Sequence, residues 1–189
     1  MKIFPFPDKE ASRAELERDL LYPRIPVRDR EAVLTRAWDT GVKAAKELME
    51  RYPGMSASRI VNAESLELEL VARDRVAGRV RYFSEYYSGR KKIILYTSSI
   101  ALWARHNNMS LDDACELILA HEMFHYLECT RMGLTSTQYM LPRFQIGRFS
   151  LGRTGVRALS KIGAHSFARV FYEGRGLLPK TNGETLLQN

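Results

Sequence analysis

Cysteine is scarce in this chain: Cys115 and Cys129 are the only two. Both fall on one expected helix, fourteen positions apart, which at 1.5 Å per residue is about 21 Å and far beyond disulfide reach. Two reduced thiols are therefore expected. Long hydrophobic runs are also missing, since no stretch approaches the roughly twenty apolar residues of a membrane span. Lys2, Pro5 and Pro7 interrupt the first residues, which do not read as a secretory leader. A cytoplasmic setting without membrane contact is the resulting expectation. There is no internal repeat, no low-complexity tract and no recognised DNA- or RNA-binding motif, so nothing in the pattern indicates a nucleic-acid partner. Acid is nearly absent from residues 131–179, where eight basic residues face Glu173 alone, while the rest of the chain holds equal numbers of acids and bases. The net charge of +7 thus belongs to one segment.

What is present can build a core. At 189 residues and 45% hydrophobic content, the chain suits one domain. Within it stands His121, Glu122, Met123, Phe124 and His125, an HExxH pentapeptide near the end of an amphipathic helix expected from Leu111 to about Cys129. At 3.6 residues per turn, positions i and i+4 project from the same side, so both imidazoles can reach one cation, with Glu122 beside it. Two neutral imidazoles, a carboxylate to take a proton from metal-activated water and an open position are what a zinc hydrolase needs. The helical context agrees: Ser110 is a ready N-cap, and Asp112 and Asp113 occupy the first turn. Cys129 lies one turn beyond His125 but two turns from His121, about 12 Å, so one ion cannot easily take all three. The competing reading is a helix with two buried structural histidines.

Along the chain, residues 1–28 mix charge with proline and read as an N-terminal arm carrying a short helix over 11–21. Asp29 to Arg51 reads as a core helix, with Leu34, Trp38, Val42, Ala45, Leu48 and Met49 on one stripe. Alternation predicts strands over 65–71 and 79–84, with Glu67 and Glu69 set to pair with Arg79 and Arg81. The run 92–97, apolar on both faces, predicts a third strand nearer the core, and the three are expected to form one small antiparallel sheet. A short helix follows over 98–105. Residues 130–152 show no period and read as a long loop, which is often functional. The last helix, 154–172, carries Arg157, Lys161, His165 and Arg169 at i, i+4 spacing opposite its apolar side. Residues 180–189 read as a tail.

A few strands, an HExxH helix, a loop and a further helix resemble the zincin metallopeptidases, and in particular the ImmA/IrrE type, regulators that cleave transcriptional repressors. His121 to Leu127 matches the motif helix of that family; Ala164, His165, Ser166, Phe167 and Ala168 fit its later helix, and Leu177, Leu178 and Pro179 loosely fit its close. The resemblance implies an α+β, zincin-like domain over 29–179, with a small antiparallel sheet packed on helices that include the HExxH helix. It departs at one place: where the family has a metal-binding glutamate, this chain has Lys161. A protonated ammonium cannot ligate a cation and repels it at close range. His165, one turn on, is the candidate third ligand, since zinc accepts three histidines as readily as two and a carboxylate. Glu173, or no third protein ligand, remains the alternative.

The expected function is a zinc-dependent metallopeptidase, a hydrolase of peptide or protein substrates. His121, His125 and His165 would bind Zn2+ and Glu122 would act as general base. Strand 92–97 is a candidate to pair with an extended substrate, and Tyr126, Tyr139, Tyr172 and Arg143 are candidates for oxyanion contact. An acidic substrate would suit the basic segment. The alternative is a catalytically decayed zincin scaffold that acts as a binding module for an acidic protein or nucleic acid through its basic 131–179 surface.

Overall fold

Helix α2 (Val27–Arg51) is the longest element of the computed structural model, which describes residues 4–146 and 149–174. Its helix begins two residues earlier than the charge pattern suggested, directly after Pro26, whose fixed φ suits a helix entry. It buries Leu34, Ala37, Gly41, Ala44, Ala45 and Leu48, a stripe of mostly small residues. The small residues let helix α6 (Ala158–Glu173) come very close. A Cβ on Gly41 would lie 2.0 Å from the Gly163 carbonyl oxygen, and one on Gly163 would lie 2.5 Å from the Phe124 ring. Ser166 Oγ closes the contact by donating to the Trp38 carbonyl at 2.7 Å.

Helix α5 (Leu111–Leu127) lies at the centre. Ser110 caps it, accepting from the Asp113 amide at 3.0 Å. The expected amphipathic stripe is not observed: Leu117, Ile118, Leu119 and Ala120 are buried in succession, so every face is covered. Covering comes from α6 and α2, from α4 (Thr97–His106), from α3 (Ala57–Ala63) and from a three-stranded sheet. The seven-residue α3 was not legible in the sequence. Its first amides, Ala57 and Ser58, donate to the Glu116 carboxylate of α5 at 2.7 and 3.3 Å.

The sheet differs from the expected antiparallel one. Strand β5 (Lys92–Tyr96) is central, parallel to β1 (Glu67–Val71) and antiparallel to β4 (Ser84–Tyr87). Both of its edges are taken, so it cannot receive a substrate strand; β1 and β4 are the edges, and β4 is the one over α5 near Glu122. The residues expected to form the second strand go to a separate hairpin, β2 (Arg75–Ala77) with β3 (Val80–Tyr82). Glu67 and Glu69 therefore meet not Arg79 and Arg81 but Lys92, at 2.7 and 2.8 Å, and Arg81 pairs with Asp74. A third antiparallel pair, β6 (Met140–Ile146) with β7 (Phe149–Gly155), occupies the stretch read as a loop. Its alternation is hidden because Phe144, Phe149 and Leu151 are exposed, so it lacks the apolar-in, polar-out signature.

The fold is thus α+β, with one small mixed sheet and two hairpins. Two apolar clusters support it: one around α5 with Ile93, Leu95, Phe167 and Phe171, the other joining Leu16 and Ile25 to Leu34, Val156 and Ile162. The N-terminal segment, with helix α1 (Arg13–Glu17), is therefore part of the core, since Leu16 and Ile25 are each 1% exposed. Both cysteines are free thiols. Among the described residues no helix is long and apolar enough to cross a membrane. The tail 180–189, Leu177 to Pro179, and Arg148 and Arg175 of the basic segment lie outside the described residues.

Candidate active site

The motif residues sit on the last full turns of α5, where the helix passes beneath the edge strand β4. Helical spacing brings the rings of His121 and His125 to 5.1 Å between centroids. Glu122 points to the sheet side and is 7% exposed, and its Oε1 accepts from the Ser84 hydroxyl at 2.6 Å. Burial pushes the Glu122 carboxyl up, against the opposing pull of His125 and of the Ser84 bond. Ser84, in an ordinary half-exposed strand, had no signal in the sequence.

The histidines differ in their surroundings. Burial, reinforced by the other two histidines and Lys161, holds the His121 pKa well below its ordinary value, so its ring is neutral at pH 7. His125 is partly open, and its Nδ1 lies 2.9 Å from Glu128 Oε2. Burial alone would lower its pKa, but the Glu128 bond and the charges of Glu122 and Glu128 outweigh that and raise it. Glu128 stands where α5 gives way to a π-helical turn, Glu128–Met132, and it is 3% exposed. It lies three residues beyond the pentapeptide.

His165 is not on a solvated stripe. It is 4% exposed on α6, with its ring 5.3 Å from that of His121. The N-terminal segment covers it: the Phe6 ring stacks on His165 at 5.1 Å and stands 5.3 Å from His121. Burial, then the charge of Lys161, lowers its pKa to about 4, so it too is a neutral imidazole. Lys161 is held by Glu15 of α1 at 2.7 Å. Arg169, the next member of the supposed stripe, bonds Glu173 at 3.2 Å and lies over the Phe4 ring at 4.5 Å. Glu173 is thereby occupied at the exposed end of α6 and is not a member of the site.

A cavity of about 380 Å³ opens over this group, lined by His121, Glu122, His165, Lys161, Glu15 and Ser84, with Phe6, Trp103, Arg81 and Tyr82 among its other walls. His125 lies outside that lining. So do all four oxyanion candidates: Tyr126 donates to Glu64, Tyr139 donates to Asp29, Arg143 is exposed on β6, and Tyr172 is buried near the end of α6. Arg81 and Tyr82 are the groups actually placed there.

Two imidazoles bound to one zinc at about 2.0 to 2.1 Å with a tetrahedral angle have ring centres about 5.2 Å apart. The His121–His125 and His121–His165 separations match that spacing, and Nδ1 of both His121 and His165 is buried without a hydrogen-bond partner. The ring spacing thus suits a cation at His121 and His125. Among the described residues, however, no three His, Cys, Asp or Glu side chains are gathered closely enough to hold one ion. The Phe6 ring, in contact with both His121 and His165, occupies part of the space between α6 and the motif pair. Compared with family models, curated proteins and solved structures, the chain matches none.

Proposed function

We propose that this chain is a zinc-dependent metallopeptidase built on a zincin-like arrangement. The observation that carries the reading is Glu122, a carboxylate buried beside two histidines, bonded by the edge strand and facing a cavity. Burying such a group costs several kcal/mol, which a purely structural helix has no reason to bear. His121 and His125 would hold the ion, with His165 as third ligand. When bound, zinc supplies Lewis-acid polarisation of the scissile carbonyl and makes water more acidic.

The remaining chemistry belongs to the chain. Glu122 takes the proton from the attacking water and delivers it to the leaving amine, and a carboxyl pushed up by burial is better matched to both steps than an exposed one. The Ser84 hydroxyl fixes one of its oxygens and so sets the direction of the other. Strand β4 offers its free edge to an extended peptide, the role expected for strand 92–97 and denied to it by its central place.

A second reading has its own observation. Lys161 lines the cavity beside His165, and no third ligand is gathered among the described residues, as a decayed scaffold acting as a binding module would show. Glu122→Gln separates the two. In a peptidase it keeps zinc and loses about 10²- to 10⁴-fold in turnover of an unstructured peptide; turnover equal to wild type removes Glu122 as the base.

A further inference from the structure

We propose that Glu128 is the positioning residue of this site, fixing His125 in the tautomer that carries its proton on Nδ1 and tying the end of the motif helix to the start of α6. The proposal rests on the metallopeptidase reading for its purpose, though not for its geometry. Four contacts carry it. Glu128 Oε1 accepts from the Thr135 backbone amide and from the Ser160 hydroxyl, each at 2.8 Å, and Oε2 lies 2.9 Å from His125 Nδ1. Ser160 in turn accepts from the Ser136 amide at 3.2 Å.

An ionised carboxylate is an acceptor only, so beside ionised Glu128 the His125 Nδ1 is the donor. In a neutral ring the lone pair then falls on Nε2, the nitrogen on the far side from Glu128. Without such a partner a histidine is free to place its proton on either nitrogen and to rotate. With it, both the ring plane and the free lone pair are set before any cation arrives, which is how outer carboxylates raise the affinity of histidine ligands. Glu128 is also placed to couple two elements. Ser160 precedes Lys161 and lies five positions before His165, so the bond from Ser160 fixes the N-terminal turn of α6 against the residue three positions after His125. Glu128 is buried where α5 gives way to the π-helical turn, at a helix C-terminus where the dipole disfavours an acid, so its hydrogen bonds are what hold it there.

The test uses the full chain, first without metal. Long-range 1H–15N spectra of wild-type protein should show His125 protonated on Nδ1, and Glu128→Ala should shift it toward the Nε2–H form that free imidazole side chains favour. Zinc affinity, read by competition with a chromophoric chelator, should fall about 10- to 100-fold in the same variant. If Glu128→Ala does not fold, the wild-type spectrum still decides: His125 protonated on Nε2 in the folded protein overturns the proposal. So does a folded Glu128→Ala with unchanged tautomer and unchanged affinity. Wild-type protein that shows the Nδ1–H form but takes up no zinc refutes the metallopeptidase reading while leaving the positioning contact standing.

Discussion

Helices α5 and α6 both bring histidines to the cavity, but they are covered in different ways. The site face of α5 is shielded by elements close to it in the fold's centre, with β4 over Glu122 and the π-turn over His125. The site face of α6 is shielded by residues about 150 positions earlier in the chain: Phe6 on His165, Glu15 on Lys161 and Phe4 under Arg169. A row of bases at helical spacing is a solvated stripe only if nothing distant folds over it. Here the N-terminal segment buries His165 and pairs Lys161, while Lys161 and Arg157 themselves stay exposed.

The largest effect should come from undoing that cover. Leu16, 1% exposed, anchors α1 in the second core cluster, and Leu16→Ala should cost about 2 to 5 kcal/mol in denaturant unfolding. A loss under about 0.5 kcal/mol, typical of an exposed site, would show that the segment does not belong to the fold's core and that the contrast between the helices is false. Next come the two polar members of the α6 wall. If His165 is the third ligand, His165→Ala should weaken zinc binding by more than the roughly 10- to 100-fold that loss of an outer partner costs. Lys161→Ala should leave affinity unchanged or raise it, because it removes a nearby cation. If zinc affinity is indifferent to His165→Ala and rises only in Lys161→Glu, the α6 wall carries no native ligand.

The smallest effect concerns a carboxylate away from the site. Burial raises the Glu64 pKa, but bonds from Arg131, Tyr52 and Tyr126 outweigh it and hold the group below its ordinary value of 4.5. A depressed carboxyl stabilises the folded state above its unfolded pKa, and the contribution is lost as pH falls through the folded value. Thermal stability should therefore drop below about pH 4.5, and Glu64→Gln should flatten that acid limb while lowering stability at pH 7. An acid limb of unchanged steepness in the variant assigns the loss to other groups.

The parts legible in the sequence were those whose signals are local. The Ser110 cap and the acids after it marked the start of α5, the apolar stripe marked α2, and i, i+4 spacing paired His121 with His125. Central β5 was legible from residues apolar on both faces and β1 from its alternation, yet their parallel pairing was not, because strand direction is set by chain path and leaves no mark on either strand. The hairpin of β6 and β7 went unseen because its apolar side chains face outward. Ser84, Glu128, Glu15 and Phe6 were not found for a related reason: each becomes part of the site only through a contact the fold creates. The i+3 spacing of Glu128 from His125 was the one available signal, since residues three apart share a helix face.

Zinc binding by the full chain decides whether His121 and His125 form a metal site. Metal-free protein dialysed against zinc should retain close to one ion per chain by atomic absorption, and His121→Ala and His125→Ala should each abolish retention, since both rings are needed to hold the ion. Wild-type protein that remains without zinc after dialysis, or either variant binding as well as wild type, would mean that the two histidines hold no ion and that the chain is not a zinc peptidase.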